Sequence, residues 1–278
     1  SAGRSSAGSA PRATPARPIS PPDVCRHLAY VGPPVTVAEL VLEPKHGLLH
    51  QSYAPIDMRG GGTVNADGFG AGWYPHPGGA ALRYRSAAPI WSDQSFPDLA
   101  RTTRSAAVLA AVRSATTGMP VTVTAAAPFA EGRWLFSHNG VVRGWPHSVA
   151  GLAAGLPVVD LLTLDAPTDS ALVWALVRHG LRAGRDPADV LVDVTAELER
   201  AAPGSRLNLL LTDGAGVWAT AWGHALSVRA GDESVLVASE PIDHDPGWQE
   251  VPDRHLVVAR PGTVTTHAIR TTDETRTA

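Results

Sequence analysis

Two amphipathic stretches lie side by side in the second half of the chain, with short apolar runs both before and after them. Asp169 to Ala183 carries Leu172, Leu176 and Val177 on one face, with Thr168 or Asp169 as its cap. Pro187 to Arg200 carries Val190, Val194 and Leu198 at the same helical spacing. A helix with one apolar stripe and a strand with one apolar face must each bury it against another element. The order strands, helix pair, strands therefore predicts an α+β fold, with two sheets packed together and helices outside.

The flanking runs supply the strands. Before the helices, Cys25–Val31 reads as a strand closed by Gly32-Pro33-Pro34, and Thr36–Leu42 as a short helix ended by Pro44. Residues 46–59 show no clear period, and Gly60-Gly61-Gly62 reads as a break. Gly68–Tyr74 and Ala80–Tyr84 form a strand pair, Phe96–Arg104 a helix and Ala106–Arg113 a strand. Trp134–Ser137 and Val141–Arg143 flank His138-Asn139-Gly140, and an Asn-Gly dipeptide between apolar runs predicts a tight turn. After the helices come six short runs: 206–212, 217–222, 226–229, 235–239, 255–260 and 263–267.

With 278 residues and 18% charged side chains, this is an ordinary globular composition, and a net charge of -3 points to neither nucleic acid nor an anionic membrane as partner. Apolar runs fall far short of the ~20 residues of a membrane span. One cysteine excludes an internal disulfide and favours a reducing, cytoplasmic setting. Residues 1–24 are mostly Ser, Ala, Gly, Arg and Pro and read as a disordered leader, an expression remnant or a mis-assigned start, with Val24 the expected position of a GTG codon. Residues 25–270 form the expected domain and 271–278 a polar tail. No metal-ligand spacing or phosphate loop occurs, so neither metal nor cofactor is expected.

The lone thiol, Cys25, stands where the leader meets the domain. A thiol is a good nucleophile only as thiolate and needs a base. If Cys25 were residue 1, its own α-amine, with a pKa of about 7.7–8.0, would serve; as an amide it could not. The plain alternative is a buried structural cysteine. Asn139 and Gly140 offer an amide and a backbone N–H to a developing oxyanion, against the plain role of a turn. Arg113, ending a strand before small hydroxyl residues, suits a carboxylate, and Asp169 suits an ammonium or a helix cap. His138, beside the pair, reads as structural. Among eight tryptophans, Trp73 and Trp145, with Tyr74, are candidate faces for a cationic leaving group.

Taken in order, Cys25-Arg26-His27-Leu28, Asn65-Ala66-Asp67-Gly68-Phe69-Gly70, Gly72-Trp73-Tyr74, Arg113, Ser137-His138-Asn139-Gly140 and Thr168-Asp169-Ser170 resemble the class II glutamine amidotransferases. Residues 113–120, 126–129, 132–140 and 239–241, with Asp245-Pro246-Gly247-Trp248, are similar to a subgroup of γ-glutamyl amidohydrolases in ergothioneine biosynthesis. The resemblance implies an αββα sandwich of the N-terminal-nucleophile hydrolase type. It implies Cys25 as nucleophile with its freed α-amine as base, and Asn139 and Gly140 as oxyanion hole. It implies that Arg113 holds the glutamyl carboxylate and Asp169 the ammonium, with Thr116 and Gly118 lining the pocket. Arg26 and Asp67 fall in matching motifs without an assigned role. The expected activity is hydrolysis of a γ-glutamyl amide of a small molecule through a Cys25 thioester. Its rivals are a glutaminase subunit feeding a separate synthase and a non-catalytic domain of the same fold.

Overall fold

The computed structural model describes residues 25–57 and 64–270. The leader, the Gly60–Gly62 break and the polar tail lie outside the described residues. In chain order the elements are β1 (Arg26–Thr36), α1 (Val37–Val41), α2 (Leu48–Gln51), β2 (Phe69–Trp73), β3 (Leu82–Ser86), α3 (Phe96–Thr102), β4 (Arg104–Val112), β5 (Phe129–Glu131) and β6 (Trp134–Val141). They continue as α4 (Ala150–Ala153), α5 (Val158–Leu162), α6 (Asp169–Arg182), α7 (Pro187–Ala201), β7 (Arg206–Thr212), β8 (Val217–Ala221), β9 (Ser227–Ala230), β10 (Val235–Ala238), β11 (Gln249–Glu250), β12 (His255–Arg260) and β13 (Thr263–Ala268).

The strands make two sheets. One has seven strands in the order β11-β9-β10-β1-β4-β2-β3, the other six in the order β13-β12-β8-β7-β6-β5. Neighbours pair antiparallel. Strand alternation sorts the side chains into three apolar layers. Leu28, Val108, Ala110 and Phe69 pack under α1 to α3. Ala29, Leu109, Val237, Leu135, Leu210 and Val257 fill the space between the sheets. Phe136, Leu209, Leu211 and Trp218 meet α6 and α7. The result is a four-layer αββα sandwich.

Local chemistry sets the helix ends. Thr36 and Glu39 form a reciprocal capping box on α1, and the Thr168 hydroxyl accepts from Ala171 N at the start of α6. Asp186 caps α7, with Pro187 in its first turn. Phe136 stacks on Trp174 with ring centroids 5.3 Å apart, which fixes β6 against α6. Such a pair contributes about 0.5–1.5 kcal/mol beyond its buried area.

Two strand readings are corrected. β1 does not stop at Gly32-Pro33-Pro34 but runs to Thr36, because a register irregularity between Val31 and Val35 absorbs the prolines while pairing with β4 resumes. The segment His138-Asn139-Gly140 is no turn. β6 passes straight through it, with His138, Asn139 and Gly140 opposite Leu209, Asn208 and Leu207 of β7. Gly140 is required there by proximity, since a Cβ would lie 1.9 Å from the Arg206 carbonyl oxygen. The glycine serves close strand approach where the dipeptide alone suggested chain reversal.

Candidate active site

Cys25 sits one residue before β1, where β1 emerges beside β4. The last paired residue is Arg26, opposite Val112. The Cys25 thiol donates to the Ser114 carbonyl at 3.6 Å. It lines a narrow cleft of about 20 Å³ with Arg113, Phe129, Ser137, His138 and Ser170. Burial pushes the thiol above its ordinary range, and the nearby Arg113 guanidinium opposes the rise without reversing it. Burial thus favours the neutral thiol, and use of Cys25 as a nucleophile would need a base to take its proton.

Asp67 shapes the wall that receives the thiol. Its carboxylate accepts from Ala115 N at 2.8 Å, and its backbone N–H donates to the Arg113 carbonyl at 3.0 Å. Arg113 in turn donates from Nη1 to the Pro120 carbonyl at 3.0 Å and the Asp67 carbonyl at 3.4 Å. These bonds pin residues 113–115 on both sides of Ser114. Asp67, left without a role by the sequence, thereby supports the wall beside Cys25.

The space between the sheets holds a second set of polar groups. His27 is fully buried, with Nδ1 3.1 Å from Ser137 Oγ and its backbone N–H donating to Ser239 Oγ at 3.0 Å. Burial holds its pKa down at about 3, so the ring is neutral. Asn139, also fully buried, projects from β6 into the same layer and donates from Nδ2 to Ser239 Oγ at 3.1 Å. One Nδ2 hydrogen is left for another acceptor. His138 faces the other way. Its Nε2 donates to the Arg206 carbonyl at 3.0 Å, which leaves Nδ1 to accept from Ser170 Oγ at 3.0 Å. Both ring nitrogens are thereby engaged, tying β6 to β7 and to the start of α6.

The remaining expected site residues divide. Arg113 is on the cleft wall. Thr116 and Gly118 are not among the cleft-lining residues; the Thr116 carbonyl accepts from Met119 N at 2.8 Å in a turn, and Gly118 is exposed. Asp169 is 6% exposed, and its oxygens accept from Val142 N at 2.9 Å and Ser170 N at 2.7 Å. Thr168 is the cap, and Asp169 ties the end of β6 to α6. Its charge still reaches the thiol and raises the Cys25 pKa.

Trp73, Tyr74 and Trp145 do not form a common face. Trp73 packs on the outer side of the seven-stranded sheet, Trp145 on the outer side of the other, and Tyr74 between them. Strand alternation and a change of sheet separate residues that the sequence places near the motifs.

A larger cavity of about 480 Å³ opens beyond Ser239, with Asp57, Glu240, Asp243, Trp248 and Glu250 among its lining. Sequence reasoning missed Ser137, Ser170, Ser239 and Glu240 as parts of the site. The only signal for the last two was their place in the Ser239-Glu240-Pro241 motif.

Comparison with known proteins bears on the family and the fold. The class II glutamine amidotransferase family matches residues 48–230. The chain is 45% identical over 238 residues to the γ-glutamyl-hercynylcysteine sulfoxide hydrolase of Mycolicibacterium smegmatis, covering 85% of this chain and 96% of that one. A protein described as a glutamine aminotransferase class-II domain protein, from Silicibacter pomeroyi, superposes with a TM-score of 0.64 at 22% identity, covering 88% of this chain and 100% of the other. The glutamine phosphoribosylpyrophosphate amidotransferase of B. subtilis superposes with a TM-score of 0.62 at 14% identity, over 88% of this chain and 49% of its own. Sheet order and these matches together make the chain a member of the class II glutamine amidotransferase family, with the fold of the N-terminal-nucleophile hydrolases.

Proposed function

We propose that the protein is a cytoplasmic amidohydrolase that cleaves γ-glutamyl-hercynylcysteine sulfoxide to hercynylcysteine sulfoxide and glutamate, a step of ergothioneine biosynthesis. The observation that carries this reading is the place of Cys25 at the head of β1, in one cleft with Arg113, Ser137 and His138. The 45% identity to a hydrolase of that name supports the substrate.

In this reading the chain acts with Cys25 as its first residue. The free α-amine takes the Sγ proton as the thiolate attacks the γ-carbonyl. Asn139 Nδ2 and the Gly140 N–H receive the oxyanion. The ammonium so formed returns its proton to the departing amine as the C–N bond breaks, leaving a γ-glutamyl thioester. Water, deprotonated by the same amine, then displaces Sγ, which takes that proton back from the ammonium as glutamate is released. Arg113 pairs with the glutamyl α-carboxylate, and Asp169 contributes the negative field that favours the α-ammonium. Thr116 and Gly118 border this end of the substrate once it is bound. The leaving portion extends into the larger cavity beyond Ser239, which Trp248, Asp57 and Glu250 help to line.

Glutamate release by chains that begin at Cys25 tests the reading. The γ-glutamyl conjugate should be turned over with a kcat/KM at least about tenfold above that for glutamine, a difference of ~1.4 kcal/mol. Equal turnover of glutamine, rising on addition of a partner synthase, would replace it with an ammonia-supplying role. Arg113→Lys should raise KM for the conjugate about tenfold with a smaller change in kcat, because the forked carboxylate contact is lost.

A further inference from the structure

We infer that Ser239 and Glu240, just beyond the end of β10, are positioning residues that hold the nucleophile and the oxyanion-binding amide in register. This rests on the proposed function of Cys25 and Asn139, and it adds two residues to which no role has been attached.

The need for such a device follows from the strand ends. Pairing between β1 and β10 stops at Leu28 opposite Ala238, and the last main-chain bond runs from Ser239 N to the His27 carbonyl at 2.9 Å. On the other side, pairing with β4 stops at Arg26. Cys25 therefore lies beyond both ladders. Without further contacts its backbone would pivot about Arg26.

Side chains take over where the ladders stop. Arg26 is 2% exposed and Glu240 3%, and Arg26 Nε donates to Glu240 Oε1 at 3.1 Å. Arg26 Nη1 reaches back to the Cys25 carbonyl at 3.1 Å, and Nη2 donates to the Asp57 carbonyl. Glu240 Oε2 accepts from the backbone N–H groups of Ile56 and Asp57, both at 2.9 Å. One buried carboxylate thus fixes the guanidinium that fixes the peptide of the nucleophile. A buried ion pair is a weak source of stability compared with apolar residues of the same volume, so geometry is the better account of it.

Ser239 acts on the neighbouring atoms. Its Oγ accepts from His27 N at 3.0 Å in one sheet and from Asn139 Nδ2 at 3.1 Å in the other. A single oxygen therefore sets the distance between the strand that carries Cys25 and the amide assigned to the oxyanion. Errors of about 1 Å in such a distance cost about a hundredfold in rate.

The test uses the purified active enzyme and the γ-glutamyl conjugate, with kcat, KM and thermal midpoint measured on each variant. Ser239→Ala should lose about tenfold or more in kcat while KM stays within about twofold, and Ser239→Thr, which keeps the hydroxyl, should recover most of the loss. Glu240→Gln should lower kcat by a similar factor and change the pH profile of Cys25 alkylation by iodoacetamide, because the Cys25 peptide is no longer held. If Glu240→Gln does not fold, the Ser239 pair decides. Folded Ser239→Ala with unchanged kcat would overturn the inference. So would a loss of kcat, KM and thermal midpoint together that Ser239→Thr does not restore. A wild-type enzyme that releases no glutamate would count against the proposed function, and the alkylation profiles of Ser239→Ala and Glu240→Gln would then judge the positioning role alone. Profiles matching wild type would overturn it.

Discussion

At the scale of single residues, the site depends on which polar groups are buried with partners and which are held uncharged. His27 is the clearest case. Its pKa is held near 3 by burial, below the 6.5 of a free imidazole, so the unfolded chain binds the extra proton between those values. The contribution is fully present above about pH 6.5 and is lost as pH falls toward 3. Between pH 6.5 and pH 5 wild-type protein should lose about 2 kcal/mol of unfolding free energy that His27→Gln does not lose. Urea unfolding at the two pH values checks this, and parallel losses would refute it. Asp67→Ala should remove the bond to Ala115 N at a cost of about 1–2 kcal/mol. It should also lower kcat, because Ser114, which accepts from the thiol, sits between the two residues that Asp67 anchors. Cys25 stood out in the sequence as the lone cysteine, while Arg113 and Asn139 drew notice through the family motifs in which they lie. Ser137, Ser170 and Ser239 were not, since a serine hydroxyl reveals its role only through the partner that folding brings to it.

At the scale of elements, the two long helices were legible, while the short helices α2, α4 and α5 and the courses of β1 and β6 were not. Apolar spacing and a capping threonine located α6, and Pro187 marked the start of α7. The Asn139-Gly140 dipeptide has the same composition as a hairpin turn, and nothing local distinguishes that from a glycine needed for strand contact. The distinction lies in Arg206, sixty-odd residues away, whose carbonyl occupies the space a Cβ would fill. Gly140→Ala should therefore destabilise β6 against β7 by about 3 kcal/mol or more, or prevent soluble expression. A variant of wild-type thermal midpoint would contradict that packing. The β1 prolines were misread for a similar reason: a bulge absorbs them, and a bulge is specified by the neighbouring strand.

At the scale of the molecule, two sheets face each other across one apolar layer, and the reacting groups gather at one end of it. Small residues make the approach possible. A Cβ on Gly72 would lie 2.7 Å from Leu135 Cδ1, so the seven-stranded sheet is bare where the other sheet's leucine enters. Leu135→Ala should cost about 2–5 kcal/mol through the cavity it leaves, seen as a thermal midpoint lowered by several degrees with KM nearly unchanged. The αββα architecture was legible from element order and from family resemblance, while the packing of the sheets was not, because it depends on pairs such as Gly72 and Leu135 that no local pattern links. Among the described residues no helix is long and apolar enough to cross a membrane. In the proposed mechanism Cys25 carries the glutamyl group during turnover. The most direct measurement is rapid-quench mass spectrometry of the enzyme during turnover of the γ-glutamyl conjugate. A glutamyl adduct on the peptide that contains Cys25, lost together with at least about a thousandfold of activity in Cys25→Ala, is the predicted result. Full glutamate release by Cys25→Ala, with no adduct on wild-type enzyme, would contradict it.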